Sequence, residues 1–522
     1  MIDEALIQQL ADPRRYPGAP GSVTLYQTHL SVVAVAGEHA YKLKKPVRLP
    51  FVEFSTAELR RQFCEEEVRL NSRLCPDVYR GVAPLFAGAD GPSFREPDAA
   101  STEIIDYAVH MRRLPAERMM DVLLAADAVT QDDVRTIAAT MAKFHQRVAL
   151  PGDSPEAAQT AARLREFAVA NFDETAAQLG TIFDAGLHRL LRDRTDRDFA
   201  RWMPALQARA SAGRVVDGHG DLHARNICLA EPLAIYDCIE FNRDLRVQDV
   251  AVENAFLVMD LRYRGHGELA AAYLDHYVEL AGDPGQRVLV PMLVRYRAMV
   301  RAKVAAIAAR EDEIGPADRE GCIGSARRHL NLAAASAIEE AGPCLICACG
   351  LPASGKSYVF AAIARVSRWP CFSSDVIRKQ LAGIEPDERA PESCYTREFS
   401  TRTYAEMMRR ASAGLSCGLV LLDANFPSVA FRRQAIECAR RAGSRVAFVW
   451  FQTDEEQIVR RMQERAADPQ QVSDADIGIY RKLKATFEPP TEREDALLIT
   501  CEAGGNREQH AATILCEVLE AT

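Results

Sequence analysis

Short apolar runs alternate with longer amphipathic segments over the last third of the chain. The runs are LICAC, PCFSSD, GLVLLDANF, RVAFVWF and ALLIT, beginning at 345, 370, 418, 445 and 496. Apolar strands that alternate with helices are typical of a parallel sheet covered by helices on both faces. The pattern therefore predicts a doubly wound α/β domain over residues 343–522.

The first two thirds of the chain show a different pattern. Residues 1–112 are rich in β-prone segments around one long amphipathic segment, and residues 113–336 are mostly helical apart from a β-rich patch at 214–241. The stretch AIEEAGP (337–343) is the expected linker to the C-terminal domain. Because 522 residues exceed what one hydrophobic core normally serves, we expect two or three domains, and the pattern divides the chain into 1–112, 113–336 and 343–522.

One helix of the first domain is expected from about Ser55 to Leu74. Ser55 is the expected N-cap, with Glu58 completing a capping box. Helical periodicity places Glu67 on the apolar face, so it is the glutamate of the run 65–67 best placed to reach inward.

Composition and charge narrow the classes of function. The chain is 48% hydrophobic and 26% charged, which is ordinary for a soluble globular protein. Its net charge of -9 disfavours binding to nucleic acid or to an anionic membrane, because both require a basic surface. No stretch approaches the ~18 apolar residues of a membrane span, the N-terminus lacks the features of a signal peptide, and the 14 cysteines are scattered. We expect a cytoplasmic protein and leave its oligomeric state open.

The run HGDLHARN (219–226) carries the first candidate chemistry. Asp221 and Asn226 lie five residues apart in a predicted loop, and Asp237 follows at the end of a predicted strand. Phosphoryl transfer needs a carboxylate near the attacking hydroxyl and hard oxygen ligands for Mg²⁺. The alternative is a polar turn whose groups only satisfy one another.

The H-G-D-x-x-x-x-N run with a strand-end aspartate resembles the aminoglycoside phosphotransferase and choline kinase family. The resemblance implies a two-lobed, protein-kinase-like fold that uses ATP or GTP. It also implies that Asp221 is the catalytic base, that Asn226 and Asp237 bind Mg²⁺, and that His219 and Asp249 support the loop.

A kinase of this kind also requires a lysine that holds the nucleotide phosphates and a helix glutamate that holds the lysine. Lys42 is the expected lysine, Lys44 is its rival on the same face of the strand, and Glu67 is the expected glutamate. The alternative is that KLKK (42–45) is a solvated basic turn.

The run GLPASGKS (350–357) is a complete P-loop pattern between an apolar strand and a helix. Loop N–H groups and the helix N-terminus are expected to bind phosphates, the lysine to reach the β/γ-phosphates, and the serine after it to bind Mg²⁺. The residues expected at the nucleotide are Gly350, Ser354, Gly355, Lys356 and Ser357.

Polar residues after the P-loop complete the second candidate site. Asp375 and Arg378 resemble the D-x-x-R of small-molecule and polynucleotide 5′-hydroxyl kinases, which implies a base and an anion-binding arginine. Asp375 has the alternative role of a helix N-cap. Asp423 ends an apolar strand and is the expected metal or substrate contact. Arg461 and Arg465 resemble the arginines of a kinase lid, although a solvated helix face is the alternative.

The two motifs together resemble a bacterial family in which an aminoglycoside-phosphotransferase-like domain is fused to a P-loop kinase domain of the AAA type, similar to gluconate or polynucleotide kinases. The resemblance implies a bifunctional kinase that phosphorylates hydroxyl groups of small molecules with ATP or GTP and Mg²⁺. Two alternatives remain at this point: a nucleotide-sensing regulatory protein with a degenerate kinase domain, and a nucleic-acid 5′-hydroxyl kinase, against which the net charge argues.

Overall fold

The computed structural model describes residues 4–28, 30–49, 52–88, 91–96, 103–311, 314–385, 388, 390–416, 418–465, 477–502 and 504–522. The chain forms two compact units. The first unit consists of Met1–Leu164, Trp202–Leu261 and Glu268–Val290, and the second consists of Arg165–Arg201, Arg262–Gly267 and Pro291–Thr522. No helix within the described residues is long and apolar enough to cross a membrane.

The first unit begins with an antiparallel sheet of six strands. The N-terminal strands are β1 (Val23–Gln27), β2 (Ser31–Ala36), β3 (His39–Lys44), β4 (Arg48–Leu49), β5 (Val52–Glu53), β6 (Tyr79–Gly88), β7 (Gly91–Ser93) and β8 (Ile104–Arg112). The order in the sheet is β1-β2-β3-β8-β6-β7, and β4 pairs with β5 separately. Side chains alternate along a strand, so Tyr41 and Leu43 of β3 enter one core of the unit while Lys42 and Lys44 face the other way.

Two helices accompany this sheet, α1 (Glu4–Gln9) and α2 (Ala57–Asn71). The expected cap of α2 was wrong by one residue: the N-cap is Thr56, whose hydroxyl accepts a hydrogen bond from the N–H of Leu59 at 3.2 Å. Ser55 instead donates to Glu53. Two adjacent hydroxyl residues offer equivalent caps in sequence, and only the backbone path decides between them.

The middle of the chain is mostly helical, as predicted. Its helices are α3 (Met120–Ala125), α4 (Gln131–Arg147), α5 (Pro155–Glu174), α6 (Ala185–Ser211), α7 (Val250–Tyr263), α8 (Gly267–Ala281) and α9 (Gln286–Ala308). The predicted β-rich patch forms short antiparallel pairs from β9 (Val215–Asp217), β10 (Ile227–Cys228), β11 (Ala234–Ile235) and β12 (Val247–Asp249). The pairs β12–β9 and β10–β11 hold the HGDLHARN loop between them.

The second unit contains a parallel sheet of five strands. The strands are β13 (Cys344–Cys349), β14 (Cys371–Ser373), β15 (Leu419–Asp423), β16 (Arg445–Gln452) and β17 (Leu497–Glu502). Their order is β14-β15-β13-β16-β17, and every neighbouring pair is parallel. The P-loop strand β13 is buried along its whole length at the centre of the sheet. The predicted fold class is therefore confirmed.

The remaining helices belong to the second unit. They are α10 (Pro316–Glu340), α11 (Lys356–Ser367), α12 (Ser374–Ala382), α13 (Arg397–Leu415), α14 (Val429–Arg441), α15 (Glu455–Arg465), α16 (Ile477–Thr486) and α17 (Arg507–Glu520). Since α10 runs to Glu340, the expected linker at 337–343 is largely helix.

Helix α10 packs on α11 and α17 of the P-loop sheet. The Asn331 amide donates to the Glu508 carbonyl at 2.9 Å, and the Trp369 indole donates to Glu339 at 3.0 Å. The two compact units are therefore not divided at residue 343, although the three domains predicted from the sequence stay a prediction.

Candidate active sites

The HGDLHARN loop is held by a buried glutamate of α7. The carboxylate of Glu253 accepts hydrogen bonds from the backbone N–H groups of His219 and Gly220, both at 2.9 Å. The side chain of Glu253 is fully buried. Two charge-assisted bonds from one buried carboxylate fix the loop backbone immediately before Asp221.

His219 adds a second constraint on the loop. Its Nε2 donates to the carbonyl of Tyr236 at 2.8 Å, and its Nδ1 accepts from the N–H of Asp221 at 3.3 Å. Burial lowers the pKa of His219, so the ring is neutral and carries its proton on Nε2. The histidine therefore ties the loop to the strand that leads to Asp237.

Asp221 and Asn226 lie together at the end of this loop. The Asn226 amide nitrogen donates to the Asp221 carbonyl at 3.0 Å and to its Oδ2 at 3.2 Å. The His223 Nε2 lies 3.2 Å from the same Oδ2. The Asp221 side chain is 32% exposed, so its carboxylate is oriented by neighbours and still open to a ligand.

Asp237 adopts a left-handed backbone conformation with φ of 63°. Its N–H donates to the hydroxyl of Tyr79 at 3.2 Å, and its carboxylate accepts from Lys42 Nζ at 2.5 Å. Such a conformation is uncommon for a residue with a side chain and is often found at functional sites.

Both expected lysines contact the expected glutamate. Glu67 accepts from Lys42 Nζ at 2.9 Å and from Lys44 Nζ at 2.6 Å. Lys44 also donates to Glu240, and its side chain is 2% exposed against 15% for Lys42. Burial by itself would raise the pKa of Glu67. The ammonium groups of Lys42 and Lys44 outweigh that effect and lower the pKa to about 2. Lys42 and Lys44 therefore do not belong to a solvated basic turn, because both lie in β3 and both form ion pairs.

Oxygen ligands for a cation are present beside this network. The nitrogen of the Asn226 amide faces Asp221, so the amide oxygen is the atom that could bind a cation, and the carboxylate of Asp237 could bind one as well. Among the described residues, no group of three or more His, Cys, Asp or Glu side chains could hold a metal. The oxygen donors of Asn226 and Asp237 fit Mg²⁺ that is shared with phosphate oxygens, because Mg²⁺ is usually held by one or two protein oxygens plus substrate phosphates.

Two buried carboxylates bear on the support of the loop. The resemblance implied that Asp249 supports the loop, and the described contacts of its carboxylate are with Arg209 at 2.7 and 2.8 Å and with the N–H of Ala251. Glu253 accepts from the loop backbone itself and was not predicted. The signal in the sequence was a charged residue, followed by one asparagine, inside the mostly apolar run VAVENAFLV (250–258). Glu240 was also missed.

The P-loop has the geometry that its motif predicts. Gly350 has φ of 142°, and a Cβ there would lie 2.7 Å from the carbonyl oxygen of Phe451, so only glycine fits. Gly355 is the N-cap of α11 with φ of 100°. Lys356 Nζ donates to the carbonyl of Leu351 at 2.6 Å and lies 3.4 Å from the hydroxyl of Ser354.

Ser357 is the second residue of α11, and its side chain is exposed. The loop backbone and the helix N-terminus thus form a site suited to an anion.

Two carboxylates follow adjacent strand ends of the same sheet. Ser373 at the end of β14 is in register with Asp423 at the end of β15, and Asp375 lies two residues beyond Ser373. The N-cap of α12 is Ser373, and Asp375 lies in the first turn of the helix. The alternative role of Asp375 as the N-cap is therefore wrong.

Arg378 is turned toward a neighbouring segment. Its Nη1 donates to the carbonyl of Cys394 at 2.7 Å and lies 3.4 Å from the hydroxyl of Ser400, and its guanidinium lies 4.9 Å from the ring centroid of Tyr395. The residue is only 7% exposed, and its Nε is buried without a hydrogen-bond partner among the described residues. The contacts that the structure gives Arg378 hold this segment in place.

Of the two arginines expected in a lid, the structure describes the side chain of Arg461 but not that of Arg465. Arg461 Nη1 donates to the carbonyl of Ala353 at 3.2 Å, so this arginine reaches the P-loop. Arg465 ends α15, but its side chain and the following residues 466–476 lie outside the described residues. Thr453, after β16, donates to the Ser354 carbonyl at 3.0 Å and was not predicted from the sequence.

The comparisons with known proteins agree with this division of motifs. Residues 345–490 match the model of an AAA domain. Over 429 residues the chain is 30% identical to the uncharacterized protein Rv2004c of Mycobacterium tuberculosis, which covers 80% of this chain and 80% of that protein. The chain belongs to the family of this mycobacterial protein.

Solved structures resemble the chain in fold alone. A gluconokinase from Sinorhizobium meliloti 1021 is 20% identical and covers 34% of this chain and 93% of its own, with a TM-score of 0.27. A choline kinase from Cryptosporidium parvum Iowa II is 10% identical and covers 70% of this chain and 99% of its own, with a TM-score of 0.37. Likenesses of both kinds were expected from the two motifs.

Proposed function

We propose that the chain is a bifunctional kinase with one phosphotransfer site in residues 1–336 and a second in residues 343–522. Each site transfers the γ-phosphoryl group of ATP or GTP to a hydroxyl group of a small molecule. The observation that carries the proposal is the ion pair of Lys42 with Glu67 and Asp237, together with a carboxylate of Asp221 that Asn226 and His223 orient. The complete P-loop supports the second site.

At the first site, Asp221 would accept the proton of the acceptor hydroxyl, because its carboxylate is oriented and open. Lys42 would exchange its bond to Asp237 for the α/β-phosphates. Asn226 and Asp237 would hold Mg²⁺, which when bound neutralises charge that develops on the transferring phosphoryl group.

At the second site, the P-loop N–H groups and Lys356 would bind the phosphates. Ser357 and Asp423 would hold Mg²⁺, and Asp375 would accept the acceptor proton from the same edge of the sheet. Arg461 would stabilise charge on the transferring phosphoryl group, since it already reaches the loop at Ala353.

The proposed acceptors are small molecules in the cytoplasm rather than nucleic acid. The net charge of -9 supports this choice, because nucleic-acid kinases need a basic surface. Arg378 is 7% exposed and donates to the carbonyl of Cys394, so its guanidinium is less accessible to a nucleic-acid end than the D-x-x-R pattern suggests.

A metabolite-library screen tests the proposal. The full-length protein, ATP and Mg²⁺ are incubated with pooled hydroxyl compounds, and mass spectrometry detects a mass gain of one phosphate. Asp221→Asn and Lys356→Ala then assign each product to a site. Nucleotide hydrolysis to water without any phosphorylated product would contradict the proposal and favour the nucleotide-sensing alternative.

A further inference from the structure

Two lysines, rather than one, extend from β3 into the first site. Because side chains alternate along a strand, Lys42 and Lys44 lie on the same face. They share one carboxylate: Glu67 Oε1 accepts from Lys42, and Glu67 Oε2 accepts from Lys44. Each lysine therefore forms an ion pair with only one oxygen of Glu67.

The second partner of each lysine distinguishes the two. Lys42 donates to Asp237, whose side chain is 41% exposed, whereas Lys44 donates to the buried Glu240. Lys44 is thus enclosed between two buried carboxylates, and Lys42 faces the open side of the network. Of the two, Lys42 is the lysine that a nucleotide can reach.

The charges of the network explain why a second lysine is useful. Glu240 already acts electrostatically on Lys42, although the direct partner of Glu240 is Lys44. If Lys44 were absent, the negative charges of Glu67 and Glu240 would both fall on Lys42. Phosphates would then compete with more buried negative charge for a single ammonium group, and Coulomb interactions are strong where water is excluded.

We propose that Lys44 is a positioning residue of the first site. By neutralising Glu240 and occupying one oxygen of Glu67, it leaves Lys42 available to the phosphates of a nucleotide. The inference rests on the proposed function of this site, and it assigns the rival lysine a role that differs from phosphate binding.

The test compares Lys44→Met with the double variant Lys44→Met/Glu240→Gln in full-length protein whose P-loop site is disabled by Lys356→Ala. Calorimetry measures the affinity for the ATP analogue AMP-PNP with Mg²⁺, and competition measures the affinity for adenosine. Lys44→Met should weaken AMP-PNP binding about tenfold or more, the loss that corresponds to about one charge-assisted interaction. Adenosine has no phosphate, so its affinity should be unchanged.

The double variant decides between the two roles of Lys44. Removing the charge of Glu240 together with Lys44 should restore AMP-PNP affinity to within about threefold of the parent, because the excess negative charge is gone. Absence of rescue would overturn the inference, since it would make Lys44 itself the phosphate-binding lysine. Unchanged AMP-PNP affinity in Lys44→Met would overturn it as well.

Two controls keep the outcome interpretable. Glu65→Gln removes an exposed carboxylate of α2 that pairs only with Arg61 in the described contacts, and it should bind both probes like the parent. If Lys44→Met does not fold, the double variant alone carries the test, with near-parent affinity supporting the inference and a loss overturning it.

No Mg²⁺-dependent AMP-PNP binding in the Lys356→Ala parent would overturn the proposed function and this inference together. Binding that Lys42→Met abolishes but Lys44→Met does not affect would overturn the inference alone.

Discussion

The two candidate sites hold their lysines through different kinds of contact. Lys42 lies among carboxylates, with Glu67 and Asp237 as direct partners, whereas Lys356 contacts a backbone carbonyl and a hydroxyl. A nucleotide at the first site must replace a carboxylate at Lys42, whereas at the second site the lysine donates to a carbonyl of the loop itself. Hydrogen bonds to charged groups are about twice as strong as neutral ones. Two carboxylates therefore hold the lysine of the first site, and the loop backbone contributes to holding the lysine of the second.

The largest expected effect is a loss of phosphoryl transfer at the first site that leaves the second site intact. Asp221→Asn should lower phosphoryl transfer at the first site by about 10²–10⁴-fold, because an amide cannot accept the acceptor proton. Nucleotide affinity should stay within a few-fold, since lysine and metal hold the phosphates. Transfer is measured in the Lys356→Ala background, with the exposed Asp132→Asn as the control. Intact transfer in Asp221→Asn would refute its assignment as the base.

The next effect breaks the second site. Lys356→Ala should cost about 1.5–3 kcal/mol of nucleotide binding there, the usual contribution of hydrogen bonds to charged groups. Calorimetry with AMP-PNP and Mg²⁺ should count two sites in the parent and one in the variant. The exposed Lys484→Ala should keep both. A single site in the parent that disappears in Lys356→Ala would favour the regulatory alternative.

A smaller effect tests whether the first site depends on a buried carboxylate scaffold. In the parent protein, both oxygens of Glu253 accept hydrogen bonds from backbone N–H groups. Glu253→Gln replaces one of these oxygens with an amide nitrogen, which cannot accept such a bond. The free energy of unfolding should fall by about 1–3 kcal/mol, the cost of an unsatisfied buried donor. Denaturant unfolding measures it against the exposed Glu279→Gln. Equal stability of the two variants would mean that the loop does not need this support.

The smallest effect sharpens the comparison on the side of the P-loop. Thr453→Val removes one hydroxyl hydrogen bond to the Ser354 carbonyl and keeps the shape of the side chain. AMP-PNP affinity at the second site should weaken by about 0.5–1.5 kcal/mol, the range for one neutral hydrogen bond. The exposed Thr513→Val serves as the control. A loss as large as that of Lys356→Ala would show that the loop is held chiefly by this hydroxyl.

The features that follow from local spacing could be predicted from the sequence. Strand alternation placed Lys42 and Lys44 on one face, helical periodicity turned Glu67 inward, and apolar runs located the parallel sheet. Contacts between distant segments could not be predicted, since nothing in the sequence connects Lys44 with Glu240 across 196 positions. The same holds for the pairing of Arg378 with Cys394, where a motif suggested the residue type but the local packing decides its partner.

Helix α10 affects how the P-loop half of the protein can be produced alone. A fragment that begins at residue 343 retains every P-loop motif but lacks the helix whose apolar face covers α11 and α17. That fragment would expose the apolar surface of α11 and α17, and exposed apolar surfaces favour aggregation. A fragment that begins at Pro316 keeps the cover, together with the bonds from Asn331 and to Glu339. Swapping this half between relatives should therefore move α10 with it.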